Sequence, residues 1–329
     1  MEKQYKFEAG EIEKQISHLS EKGITEFTVH DEQISRDKRQ VLNILNLFAQ
    51  KAPEVYLNFL VQASVIDREV CMAASGLFCC FDIPLVCTEK NGRLLFDKKF
   101  YASKARLLNQ FELVFGFQLT YAQLNGDSLK GFLDRLDFSL QQYPNHIEFP
   151  QLEVSQLFEE KVTGFFSAKD IRYARDIAFS VKTFYSEGRA VPWFLAVLKP
   201  LRIYTTAFLA DFAEWQRCNN CDFKSGFVPE KEKHASIEKM QLLFLAEKYE
   251  EKGQHSLIPL VTDVVKINGV MARLAGEGEE AVLETQYNPE DLLSPEALDL
   301  KAFAENICME NSKTRFYLDR NGEPQIEAL

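Results

Sequence analysis

Short apolar runs alternate with segments of helical periodicity along the first half of the chain. The runs have strand-like composition and occupy residues 25–29, 55–61, 77–81, 115–121 and 146–149. Apolar residues at helical spacing predict helices over residues 10–22, 36–51, 67–75, 100–114 and 129–142. Ser35 is the expected N-cap of the helix at 36–51, and residues 88–99 are expected to form a polar connection. Strands that alternate with helices are typical of βαβ units, so the sequence predicts a parallel sheet.

The second half of the chain has a mostly helical pattern after residue 154. A long helix is predicted within residues 167–186, and further helices over residues 237–252 and 256–274. Residues 191–218 are apolar and aromatic, with a break expected at Pro200. Strand-like alternation returns at 281–287, 313–318 and 325–329, and Asn321-Gly322 between the last two segments is a hairpin signal. The pattern therefore predicts an α/β fold, followed by a mainly helical region that ends in a short β-hairpin.

Composition narrows the class of protein. The net charge of −11 disfavours a general nucleic-acid binder, because phosphate affinity comes from clustered Lys and Arg. No apolar run is long enough to cross a membrane, and no signal peptide is recognisable at the start of the sequence. Seven cysteines without a signal peptide indicate free thiols in a reducing, cytoplasmic location.

Polar side chains at the carboxyl ends of the predicted strands are the candidate binding residues, because ligands of parallel α/β folds sit there. Eight residues meet this criterion: His30, Asp31, Glu32, Gln62, Asp82, Gln118, Gln123 and Gln151. The first three form the densest cluster, and a His beside carboxylates suits acid–base work or metal binding. The structural alternative is that these residues simply end strands and cap helices.

Cys218 and Cys221 form a C-x-x-C pair, which is a candidate metal site. The sequence contains no second pair, and His234 is the one further ligand close in sequence. Two thiols that happen to lie close in sequence are the alternative. Cys79 and Cys80 lie inside an apolar strand and are expected in the core. Motifs for nucleotide binding and for serine hydrolysis are absent.

Several segments resemble the radical SAM superfamily. Residues 28–42, 58–69 and 115–129 are similar to the second, third and fifth strands of its partial barrel with the loops or helices that follow, and residues 137–154 to the helix and sixth strand. Residues from Asp170 onward resemble the helical domain of unknown function in a cobalamin-associated branch. The resemblance implies a partial (βα) TIM-like barrel over residues 1–158 and a mainly helical domain over residues 159–329.

The sequence departs from that family where the chemistry takes place. The family holds a [4Fe–4S] cluster with C-x-x-x-C-x-x-C after its first strand, and SAM binds the open iron. Here the first cysteine is Cys71, no three cysteines have that spacing, and the first strand is missing unless residues 5–7 are its remnant. Most glycines of the SAM-binding loops are also absent, at residues 122–126 and 154–157. We therefore expect no cofactor, although SAM and the cluster are what the resemblance implies.

These observations favour a degenerate radical SAM-like protein without its own cluster, which binds a small molecule or a partner protein. In one version it is half of a split enzyme, and the partner supplies the missing first strand, because open sheet edges attract further strands. An enzyme of another class that uses the strand-end residues is one alternative. A metal-binding protein that uses Cys218 and Cys221 is another.

Overall fold

A computed structural model describes residues 14–16, 23–91, 93–123, 126–152, 162–320 and 322–329. The chain divides into two compact units, Met1–Thr120 and Tyr121–Leu329. The domain boundary predicted at residues 158 and 159 stays a prediction. Residues 14–16 of the helix predicted at 10–22 are helical, and the rest of that helix lies outside the described residues. The proposed strand remnant at 5–7 and the loop at 154–157 also lie outside them.

The first unit contains a parallel sheet with helical crossovers. Its parallel strands are β1 (Glu26–Val29), β2 (Tyr56–Leu60), β3 (Cys79–Pro84) and β6 (Val114–Gln118). Its helices are α1 (Glu32–Arg36), α2 (Lys38–Lys51), α3 (Arg68–Ala74) and α4 (Lys98–Gln110). The strands lie side by side in chain order. Right-handed crossovers that all run in one direction place the helices on one face of the sheet, as in a (βα) barrel.

Local sequence signals explain the helix starts in the first unit. Asp31, Asp37, Asp67 and Asp97 are N-caps whose carboxylates accept hydrogen bonds from backbone N–H groups of the next turn. The prediction of Ser35 as an N-cap was wrong. Ser35 lies inside the short helix α1, where its side chain is buried, and Asp37 is the residue that caps α2.

The polar connection predicted at 88–99 contains a hairpin that the sequence analysis did not predict. It holds a two-stranded antiparallel hairpin, β4 (Thr88–Lys90) with β5 (Arg93–Leu95), and it ends in the first turn of α4. The β4 side chains are all exposed, so no apolar alternation marks this strand in the sequence.

The second unit is mainly helical. Its strands are β7 (His146–Glu148), β8 (Ala281–Thr285), β9 (Ser312–Leu318) and β10 (Pro324–Ala328). Its helices are α5 (Leu129–Leu140), α6 (Ala168–Val181), α7 (Phe194–Leu201), α8 (Thr205–Cys218), α9 (His234–Glu251), α10 (Ile258–Glu277), α11 (Pro289–Leu292) and α12 (Leu300–Asn306). The predicted hairpin is confirmed, since β9 and β10 pair antiparallel and β8 pairs with the other edge of β9.

Two helix breaks differ from the prediction. The helix predicted at 167–186 is α6 followed by a turn of π-helix, Lys182–Glu187, which changes the hydrogen-bond register. The break predicted at Pro200 falls just after it: Pro200 lies in the last turn of α7, which ends at Leu201, and Arg202 caps it in the left-handed conformation at φ 52°.

An aromatic cluster fills the core of the second unit and accounts for part of the chain's high phenylalanine content. The Phe184 ring lies at its centre, 4.9 Å from Phe212 and 5.2 Å from Phe208 between ring centroids. Trp193, Phe194 and Phe244 surround the same ring. The predicted α/β fold, with its parallel sheet, helical region and terminal hairpin, is confirmed. Among the described residues, no helix is long and apolar enough to cross a membrane.

Candidate functional site

The two faces of the first unit's sheet have opposite chemical character. Successive strand residues point to opposite faces, and parallel register aligns the faces of neighbouring strands. One face carries apolar side chains from all four strands: Phe27, Val29, Leu57, Phe59, Cys79, Phe81, Ile83, Phe115 and Phe117. Phe27 packs on Phe48 of α2 with ring centroids 5.6 Å apart, so the crossover helices cover this face.

The other face carries most of the polar side chains of these strands, and we call it the polar sheet face. Its polar members are Glu26, Thr28, Tyr56, Asn58, Cys80, Asp82 and Gln118. Leu60, Pro84, Val114 and Gly116 complete it. The polar side chains are partly or fully exposed apart from Cys80, which is 1% exposed. These incompletely buried polar groups distinguish this face from the apolar face that packs on the helices.

Side chains on the polar sheet face form hydrogen bonds across neighbouring strands. The Asn58 side-chain amide donates to the Glu26 carboxylate, which joins β2 to β1. The Tyr56 hydroxyl is hydrogen-bonded to the Cys80 thiol, which joins β2 to β3. Burial raises the pKa of Tyr56, and the nearby Cys80, Cys79 and Asp82 raise it further. Tyr56 therefore stays protonated at neutral pH and acts as a hydrogen-bond donor rather than as a base.

Asp82 lies near the middle of this face. Its register partners are Leu60 on β2 and Gly116 on β6. Gly116 has no side chain, so this position of β6 adds none to the polar sheet face. Asp82 and Glu26 are the two charged residues that the four strands place on this face, and both are acidic. The arrangement suits a ligand with a positive charge or several N–H and O–H donors.

The predicted strand-end residues fall into two groups in the first unit. Asp82 and Gln118 lie on the polar sheet face. Asp31 instead caps α1, where its carboxylate accepts from the backbone N–H groups of residues 33 and 34 at 2.8 and 2.9 Å. Glu32 pairs with Arg36 one turn along the same helix at 3.2 Å.

His30 and Gln62 complete this group. His30 is exposed just after β1. Gln62 follows β2, and its backbone N–H donates to the carbonyl oxygen of Ser35 at 3.0 Å. Within the His30, Asp31 and Glu32 cluster, Asp31 caps α1 and Glu32 forms an ion pair on the same helix. The role of the cluster in binding stays a prediction.

The remaining two strand-end candidates belong to the second unit. Gln123 is half-buried. The Gln151 amide donates to the carbonyl oxygen of Tyr121 at 2.7 Å. The Gln151 Oε1 atom is buried and has no hydrogen-bond partner among the described residues. Their binding role is likewise a prediction.

Several members of the polar sheet face escaped the sequence analysis, namely Glu26, Thr28, Tyr56, Asn58 and Cys80. The predicted candidates are polar residues at the carboxyl ends of strands, whereas these five residues lie within the strands. The signal that identifies them is the period-two alternation of Tyr56 and Asn58 with Leu57 and Phe59.

The C-x-x-C pair lies at the end of α8. Cys218 is exposed, whereas Cys221 is buried and its thiol lies 3.5 Å from the carbonyl oxygen of Gln216. Burial raises the pKa of Cys221 to about 11, so the thiol is protonated at neutral pH. His234 uses its ring nitrogens elsewhere, at the Arg273 guanidinium and the Gly188 carbonyl oxygen. Metal binding by Cys218 and Cys221 stays a prediction.

The cysteines do not fit the ligand set of a [4Fe–4S] cluster. All seven are free thiols. Cys79 and Cys80 are sequence neighbours on β3 and therefore point to opposite faces of the sheet, and Cys71 is buried on α3. A cluster needs thiolates that converge on one point, and neither the spacing nor the placement of these residues offers three.

No family model matches the chain, and no curated protein matches it significantly. Two of the solved structures that it resembles are of the radical S-adenosylmethionine methyltransferase TsrM from Kitasatospora setae. One has cobalamin and a [4Fe–4S] cluster bound, and the other has tryptophan substrate and the SAM analog aza-SAM bound. Each is 12% identical and covers 43% of this chain, with a TM-score of 0.35. The match spans 30% of the TsrM chain, and a likeness at this TM-score supports no functional conclusion.

Proposed function

We propose that this chain is a radical SAM-like protein without its own cluster, and that its polar sheet face binds a small molecule that carries a positive charge. The segregation of the two sheet faces is the observation that supports this proposal. The helices cover one face, and the other presents Asp82 and Glu26 without a Lys or Arg from the four strands. SAM is a sulfonium cation with a further amino group, and it is the ligand that the sequence resemblance implies.

The protonated Tyr56 hydroxyl and the amides of Asn58 and Gln118 would supply donors and acceptors around the two carboxylates. Such groups orient a polar ligand, while the carboxylates provide most of the attraction for its charge. None of these roles requires a metal–thiolate centre, so the chain would act as a binding protein or as a subunit of a larger enzyme.

A second candidate function is the completion of a partner's barrel. Among the described residues, β1 is an edge strand that pairs with β2 alone. An exposed edge strand presents unpaired backbone groups to which another chain can add a strand. In this version the partner supplies the first strand and the cluster, and this chain supplies the polar sheet face.

Calorimetric titration of the purified protein with SAM and with S-adenosylhomocysteine tests the proposed ligand class. The second compound lacks the sulfonium charge, so we expect at least tenfold weaker binding than for SAM. Asp82→Asn keeps the shape of the side chain and removes its charge, and we expect at least tenfold weaker binding of SAM. Glu54→Gln makes the same chemical change on an exposed residue before β2 and serves as the matched control.

Equal affinity of the Asp82→Asn variant and the unchanged protein would reject the polar sheet face as the SAM site. Absence of SAM binding in the unchanged protein would reject SAM as the ligand. A set of other small cations, such as polyamines, then tests the wider ligand class, and failure of all of them would overturn the proposal.

A further inference from the structure

One segment of the second unit contains many more acidic than basic residues. Residues 277–310 contain ten carboxylates and one lysine, and this difference supplies nine of the eleven net negative charges. The segment includes β8, α11, α12 and a 3-10 turn, Pro295–Leu298, between the last two. Five of these carboxylates pair with Arg or Lys residues from outside the segment, namely Glu277, Glu279, Glu280, Glu284 and Asp299. The acidic character of the surface therefore depends on the remaining five.

Two apolar depressions lie on this surface, one on either side of the 3-10 turn. The larger, of about 310 Å³, has Ala302, Phe303 and Ile307 in its lining. The smaller, of about 230 Å³, has Trp193 and Leu293 in its lining. Pro295 and Leu298 contribute to both. Leu298 is 53% exposed and Leu293 38% exposed, so both add apolar surface beside these depressions. We call the two depressions together the acidic groove.

Carboxylates line one depression of the acidic groove and lie close in sequence to residues that line the other. Glu296 and Asp299 line the larger depression, and Asp291 and Glu290 precede the leucines of the smaller one in sequence. Asp299 is neutralised by Lys199. Glu290, Asp291, Glu296 and Glu305 have no ion-pair partner within 4.0 Å among the described residues. The groove thus combines exposed apolar side chains with negative charges that this part of the chain leaves uncompensated.

We infer that the acidic groove docks a basic, amphipathic helical segment of a partner protein. The apolar face of such a helix would fill the depressions on either side of Leu298, and its Lys or Arg residues would meet Glu290, Asp291, Glu296 and Glu305. A second copy of the chain is a poor occupant, because a symmetric contact would bring two acidic surfaces together. An anionic membrane surface is repelled for the same reason. This role is independent of the ligand bound by the polar sheet face.

Fluorescence anisotropy with a labelled 18-residue helical peptide of leucine and lysine tests the inference on the full chain. A second peptide, in which serine replaces every leucine, has the same charge without an apolar face. We expect the leucine-containing peptide to bind at least tenfold more tightly, with an affinity that falls as salt is raised. Leu298→Ser should weaken binding at least fivefold. Leu243→Ser, at a 50% exposed position on α9, should leave it unchanged.

A charge-matched pair of variants separates docking from general attraction between an acidic protein and a basic peptide. In the first variant Glu290, Glu296 and Glu305 become Gln and Asp291 becomes Asn, and we expect at least tenfold weaker binding. In the second, Glu54, Glu232, Glu250 and Glu323, which are exposed, become Gln, and the loss should be less than threefold. Equal losses in the two variants, or equal binding of the two peptides, would overturn the inference. So would a dimer in sedimentation experiments that Leu298→Ser dissociates, because the occupant would then be a second copy.

Discussion

Gly188 and Gln241 approach each other more closely than any side chain at position 188 would allow. A Cβ atom on residue 188 would lie 2.2 Å from the Gln241 Nε2 atom and 2.2 Å from the Phe184 carbonyl oxygen. The same Nε2 atom donates to the carbonyl oxygens of Phe184 and Gly188, at 2.7 and 2.9 Å. The π-helix ends at this point, so a side chain from α9 satisfies carbonyl groups that the change of helical register leaves available.

Gly188→Ala should therefore destabilise the second unit, because the new methyl group displaces Gln241 and leaves buried carbonyls unsatisfied. We expect the free energy of unfolding to fall by about 2–4 kcal/mol. Chemical denaturation followed by tryptophan fluorescence measures this unit selectively, since both tryptophans of the chain, Trp193 and Trp215, belong to it. An unchanged unfolding midpoint would contradict the steric argument.

Gly276→Ala is the matched control for that variant. Gly276 lies in α10, and a Cβ atom there meets nothing closer than the Arg189 Nη1 atom at 3.5 Å, an ordinary contact. Because alanine favours a helix over glycine by up to about 1 kcal/mol, this change should leave the stability unaltered or raise it.

Protonation of His234 should destabilise the second unit in mild acid. Burial, the Arg189 charge and the Arg273 charge lower the pKa of His234 to about 4. The Arg273 guanidinium donates to the Nδ1 atom at 2.9 Å, so the neutral ring carries its proton on Nε2, which faces the Gly188 carbonyl oxygen. Glu238, at 2.7 Å from the same guanidinium, and Glu277 on α10 are the neighbouring acids.

The folded pKa of His234 lies below the value of the unfolded chain, so the unfolded state binds the proton more readily between pH 4 and 6.5. The stability contribution is therefore present above pH 6.5 and is lost as the pH falls towards 4. Between pH 7 and pH 5 the loss is about 2 kcal/mol. His234→Gln should remove that part of the pH dependence in denaturation followed by tryptophan fluorescence. A variant with the same pH dependence as the unchanged protein would contradict the assignment.

The sequence predicted the architecture better than the site, and particular residues show why. Leu57 and Phe59 mark a strand by alternation, and Asn321-Gly322 marks the turn between the last two strands, so local patterns were sufficient for these elements. The polar sheet face depends on strand register, which aligns Asp82 with Gly116 and Thr28 with Asn58 across long sequence separations. The π-helix at 182–187 was also missed, because no local pattern distinguishes it from the preceding α-helix.

The Asp31 carboxylate should prove more important for helix formation than for ligand binding. Asp31→Ala removes the cap of α1 and should destabilise that helix by about 1 kcal/mol, whereas Asp31→Asn retains a capping oxygen. Hydrogen–deuterium exchange of residues 32–36 measures the effect, and we expect several-fold faster exchange in the alanine variant alone. Loss of ligand binding in Asp31→Asn, with exchange unchanged, would instead assign this carboxylate to a binding site.

The two thiols of the C-x-x-C pair should differ sharply in reactivity. Cys218 is exposed, whereas Cys221 is buried with a pKa raised to about 11, and the thiolate is the form that reacts and binds metal. Iodoacetamide at pH 7.5, followed by mass spectrometry, should modify Cys218 and the exposed Cys308 well before Cys221. Zinc should not slow the reaction of Cys218 with iodoacetamide, because Cys221 is protonated and cannot serve as the second metal ligand. Protection of Cys218 by zinc, without protection of Cys308, would show that the pair does bind metal, since Cys308 is an exposed thiol outside the pair.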